Sequence, residues 1–248
     1  MIQRYFLEVS YRGTNYSGFQ KQANANTIQE EIEKAFAVIQ KVPIELTGSS
    51  RTDAGVHALQ NFFHFDYNGL VHPQFAYKIN SVLPEDIVVK NILPVSNTAH
   101  CRFDAIGRSY KYYIYHRKDP FIRDRAYYYP YTLDLQKLNE VAGLITQYQD
   151  FTTFSKRNTQ VKTFECVIEN SEWTIEANQL VYHVKSNRFL RGMVRGLTGT
   201  MLQVGRNKIS MEAMRLIIEG RDCSRADFSV PAKGLFLVSV EYRANIFD

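Results

Sequence analysis

The 248-residue sequence carries 30 Lys and Arg against 25 Asp and Glu, a formal net charge of +5; 45% of it is apolar, with 16 Tyr, 16 Phe and 1 Trp. That supply of apolar and aromatic side chains excludes a disordered or fibrous chain, and the length allows one large domain or two modest ones. No run approaches the roughly 18 apolar residues of a membrane helix, and Met1-Ile2-Gln3-Arg4-Tyr5 leads straight into strand-like sequence, so a cytoplasmic protein is expected.

Tyr5, Leu7, Val9 and Tyr11 alternate with more polar neighbours and predict a half-buried strand, with Phe6 as a mild exception. Thr27 and Glu30 form a capping box before a helix whose Ile28, Ile32, Phe36 and Ile39 share a face. A short strand at 44–46, a polar loop at 47–56, a strand at 61–67, a helix at 72–82 and a strand at 86–93 complete a βαββαβ order. The second part repeats it, with strands at 109–116, 162–169 with 173–176, and 180–185, and a helix marked by Leu135, Leu138, Ala142 and Ile145. Helices at 188–204 and 211–219 and an alternating strand at 234–242 follow. The expectation is an α+β fold of two tandem ferredoxin-like halves with antiparallel sheets, related by a pseudo-twofold axis across a cleft that holds the active site. The N-terminal half would span 1–100 and the C-terminal half 101–248, with a boundary near 99–102.

Positive charge is concentrated in two segments. Residues 101–125 hold seven basic and three acidic side chains, and residues 185–208 hold six basic and none acidic. Such segregation favours a polyanionic partner, nucleic acid above all, although solvated faces alone explain many basic runs. Arg188, Arg191 and Arg195 recur at i, i+3 and i+7, which on a helix over 188–204 makes a cationic ridge backed by core.

Cys101, Cys166 and Cys223 are odd in number and far apart, which argues against a disulfide framework and for buried thiols. The six histidines lack His-x-x-x-His or mixed Cys spacing, so no metal site is expected. There is no Gly-x-x-x-x-Gly-Lys or Gly-x-Gly-x-x-Gly loop.

Residues 48–57 combine Arg51, Asp53 and His57 with Gly48 and Gly55 between two strands. Taken alone, Asp53-Ala54-Gly55 reads as a turn in which Gly55 supplies a positive φ. Yet Arg51-Thr52-Asp53-Ala54-Gly55-Val56-His57 resembles the signature loop of the bacterial tRNA pseudouridine synthase A family. The resemblance extends to residues 11–22, 79–87, 102–105, 108–112, 193–195, 204–206 and 232–237. Arg12, Phe19, Ser50 and Gly196 depart from the family's usual residues, and none of these departures touches Asp53, Tyr110 or Arg195.

What the resemblance implies is a cofactor-free isomerisation of uridine to pseudouridine in tRNA, at positions 38, 39 and 40 of the anticodon stem-loop. Asp53 would be the nucleophile, through either a covalent adduct or a glycal intermediate. Tyr110 would stack on the flipped uracil and help remove the C5 proton. Either Arg195 or Arg51 would pair with Asp53, with Arg195 favoured for the ion pair and Arg51 for RNA contact. Leu235 would close the pocket, and Arg108, Arg188, Arg191 and Lys21 would bind substrate; His57 would order its loop. A homodimer clasping tRNA is implied too. A non-catalytic RNA-binding protein and a small-molecule lyase or hydrolase are the competing readings. The first lacks an RNP1 strand, and the second leaves the basic segments unexplained.

Overall fold

A computed structural model describes residues 1–157 and 161–247, and the chain divides into two compact units. The first comprises Met1–Ile106 with Phe236–Asp248, the second Gly107–Leu235. Each mixes helices with a mostly antiparallel sheet, the α+β class expected. No helix among the described residues is long and apolar enough to cross a membrane.

In the first unit the order is β1 (Ile2–Tyr11), α1 (Ile28–Gln40), β2 (Thr47–Gly48), β3 (His57–Asn68), α2 (Phe75–Asn80) and β4 (Ile87–Val95). β1 lies between β4 and β3, and β2 adds to β3, all antiparallel. Thr27 accepts the Glu30 amide and starts α1, as the capping box predicted. One sheet face carries Tyr5 and Phe65, whose rings stack at 5.5 Å, and receives α1 through Phe36, 5.3 Å from Phe65 and 4.9 Å from Phe75 of α2. Phe6 is also fully buried, on the opposite face. The chain's last strand explains this. Tyr242 and Phe247, from the C-terminal segment, meet Phe6 at 5.4 and 6.0 Å and cover the face that alternation alone would leave to water. His64 is on that covered face, and burial beside His100 and Arg4 pushes its imidazole down to about 4, so it is neutral at physiological pH.

In the second unit, β5 (Ala105–Tyr115, which begins in the first unit) pairs antiparallel with β8 (Gln179–Ser186), which pairs with β7 (Ile168–Glu176). The two-residue β6 (Tyr127–Tyr128) runs parallel to β5. Helix α3 (Leu135–Ile145) packs on β7, where the Asn139 side chain accepts the Trp173 amide and donates to its carbonyl. The buried Trp173 and Tyr182 rings stack at 5.0 Å. α4 (Met193–Gly205) and α5 (Met211–Glu219) complete this unit.

Several elements differ from their sequence prediction. The strand expected at 44–46 sits one step later, at Thr47–Gly48, because Leu46 spends its amide and carbonyl on the side chains of Glu33 and Gln29 of α1. α2 is a short core of the predicted 72–82 helix, and residues 162–166 precede β7 rather than join it. The strand at the C-terminus, β9 (Leu235–Tyr242), is expected from sequence in the second half; His57 and Ala58 of β3 pair with it in parallel, and its residues from Phe236 onward belong to the first unit.

The predicted helix over 188–204 is the most consequential difference, because α4 begins only at Met193. Gly192 takes φ +77, a left-handed conformation that stops the helical pattern from extending backwards. Arg188 and Arg191 therefore lie in the link between β8 and α4, and the three arginines form no single helical ridge. α4 itself is buried almost all round and has no wet face on which such a ridge could stand. Phe189, which matched the apolar spacing by four, instead meets the Tyr110 ring edge-on at 5.0 Å.

Candidate active site

Residues 49–56 form a loop between β2 and β3 that is fixed along most of its length by backbone and buried side chains. At its start, the Ser49 amide donates to the Phe62 carbonyl, and Ser49 Oγ lies 3.2 Å from the Tyr242 hydroxyl, within hydrogen-bond distance. Asn61, wholly buried in an aromatic strand, donates to the Ser50 carbonyl at 2.8 Å and to Tyr11 Oη at 3.2 Å; Tyr11 Oη in turn lies 2.7 Å from Thr52 Oγ1. This Asn61–Tyr11–Thr52 chain escaped the sequence reading. A lone amide side chain among Phe residues was its only signal.

The segment after β1 lies against the other side of the loop. The Phe19 amide donates to the Thr52 carbonyl, and the Gly13 amide to His57 Nδ1. A methyl group at Gly13 would stand 1.9 Å from the Val56 carbonyl oxygen, so only glycine permits this approach. His57 is buried and its ring stacks at 4.5 Å on Phe236, matching the loop-ordering role expected of it. Gly55 takes φ +79, and the Val56 amide closes a turn onto the Asp53 carbonyl. With its neighbours Thr52 and Val56 buried, Asp53 is held half-buried at the tip of this turn, while Arg51 is exposed. Ser50 Oγ is buried without a hydrogen-bond partner among the described residues.

The remaining sequence-predicted residues fall into distinct surroundings. Lys21 is exposed and pairs with Glu33 of α1 at 2.9 Å, which raises its pKa. Because Glu33 also accepts from Gln29 and the Leu46 amide, Lys21 is part of the anchoring of α1 as well as a surface cation.

In the second unit Tyr110 is buried on β5, and Arg108, two residues earlier, is half-buried and donates to the Asn187 carbonyl. Arg195, in the first turn of α4, is half-buried; its Nε donates to the Val230 carbonyl at 2.8 Å and Nη2 to that of Phe228 at 3.3 Å. These bonds fix the guanidinium on the segment that leads into Leu235, itself buried. The Tyr112 hydroxyl donates to Pro231 in the same segment, and burial raises its pKa. Arg188 is half-buried and Arg191 exposed.

The described residues include one group able to hold a metal ion: His64, His100 and Cys101 offer ligand atoms that all lie within 4.8 Å of one another. Spacing along the chain concealed it, since His64 is on β3 and the adjacent pair follows β4. Among the described residues Cys101, Cys166 and Cys223 are all thiols, none in a disulfide.

The loop thus presents a half-buried carboxylate on a turn whose flanking residues are fixed. The family described as tRNA pseudouridine synthase matches residues 8–104 and 148–243. Proteins named tRNA pseudouridine synthase A from Parabacteroides distasonis and Bacteroides fragilis are 43% and 46% identical; the alignments cover 99% and 100% of this chain and 98% and 99% of the relatives. The Staphylococcus aureus protein of the same name is 35% identical, over 98% of this chain and 92% of its own length. Matches of this extent, spanning the Asp53 loop and the C-terminal strand alike, show that the chain belongs to the tRNA pseudouridine synthase family.

Proposed function

We propose that this protein converts uridine to pseudouridine in the anticodon stem-loop of tRNA, at positions 38, 39 and 40, with Asp53 as nucleophile. The observation that carries the reading is the family's loop built as a rigid turn, with Asp53 half-buried at its tip and Thr52, Val56 and His57 anchored beneath it. In this reaction the C1′–N1 bond breaks, the uracil turns, a C1′–C5 bond forms, the C5 proton leaves and N1 takes up a proton, so atoms balance without oxidant or cofactor. Asp53 assists departure of the base, by a covalent adduct or through a glycal. Tyr110, with one ring edge fixed on Phe189, stacks on the everted base and accepts the C5 proton. Arg195 supports the ionised carboxylate, Leu235 bounds the base, and Arg51 contacts the RNA near the displaced nucleotide. Arg108, Arg188, Arg191 and Lys21 bind the tRNA backbone.

The element order of the first unit, with strands ordered β4-β1-β3-β2, supports its reading as a ferredoxin-like half. The β5-β8-β7 sheet with α3 and α4 supports the same reading of the second unit. A homodimer acting in the cytoplasm completes the proposal.

The decisive experiment is a pseudouridine map of tRNA from cells lacking the protein. Pseudouridine disappears at positions 38–40 and returns with the wild-type gene; an unchanged map removes the assignment. Two substitutions divide the roles. Tyr110→Phe keeps the stacking ring and lowers the single-turnover rate about 10²-fold with tRNA affinity unchanged, the usual scale of a lost proton acceptor. Arg191→Ala weakens tRNA binding about equally for all tRNAs and reduces the slope of log K against log salt by about 1. A filter-binding series from low to moderate salt reads that slope.

A further inference from the structure

We propose that His64, His100 and Cys101 form a binding site for a divalent metal ion of the zinc class, a structural clamp beneath the Asp53 loop. The case begins with a shortage of protons. The Cys101 amide donates to His64 Nδ1 at 3.4 Å and the Arg102 amide to His100 Nδ1 at 3.1 Å, so in both imidazoles Nδ1 presents a lone pair. Cys101 Sγ lies 3.2 Å from His64 Nδ1 and 3.1 Å from the Thr47 carbonyl oxygen. A thiol has one proton and can satisfy only one of these acceptors. With His64 Nδ1 acting as acceptor of the Cys101 amide, the other contact brings lone pair against lone pair in a place where Cys101 is fully buried. A cation in place of the thiol proton turns the crowding of electron-rich atoms into coordination.

The donor set suits zinc. Two imidazoles and a thiolate are ligands it favours, with one position left for water, and bond lengths of about 2.0–2.3 Å place tetrahedral ligand atoms about 3.3–3.6 Å apart. The three donor atoms already lie within 4.8 Å of one another, so side-chain adjustments of about an ångström close the site. Charge is balanced as well. The Arg4 guanidinium nearby is held by both oxygens of Asp66 at 2.8 Å, and Asp104 accepts the His100 amide at 2.7 Å, adding a negative charge beside the ligands. His100 is half-exposed and provides the way in for the ion.

The position explains what a metal would do. Thr47 pairs with His64 in the β2–β3 ladder, immediately before the catalytic loop. The Tyr242 hydroxyl donates to the Cys101 carbonyl at 2.6 Å and lies 3.2 Å from Ser49 Oγ, whose own proton it can accept. Binding would therefore tie β2, β3 and the chain after β4 at the point where the Asp53 loop departs.

The test uses untagged full-length protein and zinc itself. Elemental analysis should find about one zinc per chain after growth in zinc-supplemented medium, and loss after chelation. Cobalt added to the stripped protein should produce thiolate-to-cobalt absorption in the near ultraviolet. Zinc at about 100 times its Kd should raise Tm by about 5 °C or more. Cys101→Ala and His100→Ala should each weaken zinc binding at least 100-fold and abolish the Tm response, while Cys166→Ala, a second buried thiol, changes neither. His100→Ala, at a half-exposed position, guards against misfolding of the Cys101 variant. Metal-free protein without cobalt–thiolate absorption, or equal zinc affinity in the Cys101 and His100 variants, overturns the proposal.

Discussion

Asp53→Asn should reduce the single-turnover rate of pseudouridine formation by at least about 10⁴-fold, a loss of more than about 5 kcal/mol of transition-state stabilisation. The substitution replaces one carboxylate oxygen by an amide nitrogen of similar size, so the turn that carries the residue has no steric reason to move. The turn is closed by the Val56 amide on the Asp53 main-chain carbonyl, and the loop is held by Thr52, Ser50 and His57. None of these contacts uses the side chain being changed. What is removed is the negative charge and the nucleophilic lone pair, which an amide cannot replace at a developing oxocarbenium or on the uracil ring. The measurement is release of tritium from C5-labelled tRNA, run beside a binding isotherm and a thermal melt. Affinity within threefold of wild type and an unshifted melt would place the defect in chemistry. A rate within tenfold of wild type would remove Asp53 from the mechanism.

The other proposed groups differ from Asp53 in how strongly their surroundings fix them. Arg195 donates two hydrogen bonds to carbonyls of the 228–230 segment, so its guanidinium plane is set before any substrate arrives. Arg51 and Arg191 are exposed and have long side chains, which suits phosphate contacts that must tolerate different tRNA sequences. The consequence is a split in kinetic behaviour, with changes at Arg195 falling on the rate and changes at Arg51 and Arg191 falling on affinity and its salt dependence.

Local chemistry made much of the fold legible in the sequence. The Thr27–Glu30 capping box started α1 where it stood, and the alternation from Tyr5 to Tyr11 gave β1 its face against α1 and α2. Features that depend on distant residues were hidden. Phe6 looked like a break in the pattern because its cover, Tyr242 and Phe247, lies more than 200 residues away. The apolar spacing at Phe189, Met193, Leu197 and Met201 fits a helix throughout, yet a single positive φ at Gly192 cuts it, and two arginines leave the supposed ridge. The His64, His100 and Cys101 group was invisible for a related reason, since its members share no helical or loop spacing and meet only through the sheet. The Asp53 loop carries its family's residues in one contiguous stretch, while the Asn61–Tyr11–Thr52 support beneath it joins side chains of two strands and the loop, with Tyr11 far along the chain from the other two.

That support defines the second large effect. Gly13→Ala should destabilise the protein by about 2–4 kcal/mol and lower the rate of the remaining folded enzyme by about 10²-fold. A methyl group on Gly13 would lie 1.9 Å from the Val56 carbonyl oxygen and 2.7 Å from its carbon, both main-chain atoms that cannot swing aside as a side chain would. Relief requires residues 13–16 or 55–57 to move by an ångström or more. Moving the first breaks the bond from the Gly13 amide to His57 Nδ1; moving the second displaces the turn whose tip is Asp53. Either way Asp53, the proposed nucleophile, leaves its position although none of its own atoms has been altered. Gly143→Ala supplies the opposite control: it is an exposed position inside α3 with nothing within 4 Å of an added methyl group, and should stabilise by about 0.5–1 kcal/mol. Urea unfolding of the two variants separates steric exclusion from the general effect of replacing glycine. Equal stability of Gly13→Ala and wild type, with an unchanged rate, would show that the loop is not held by this contact.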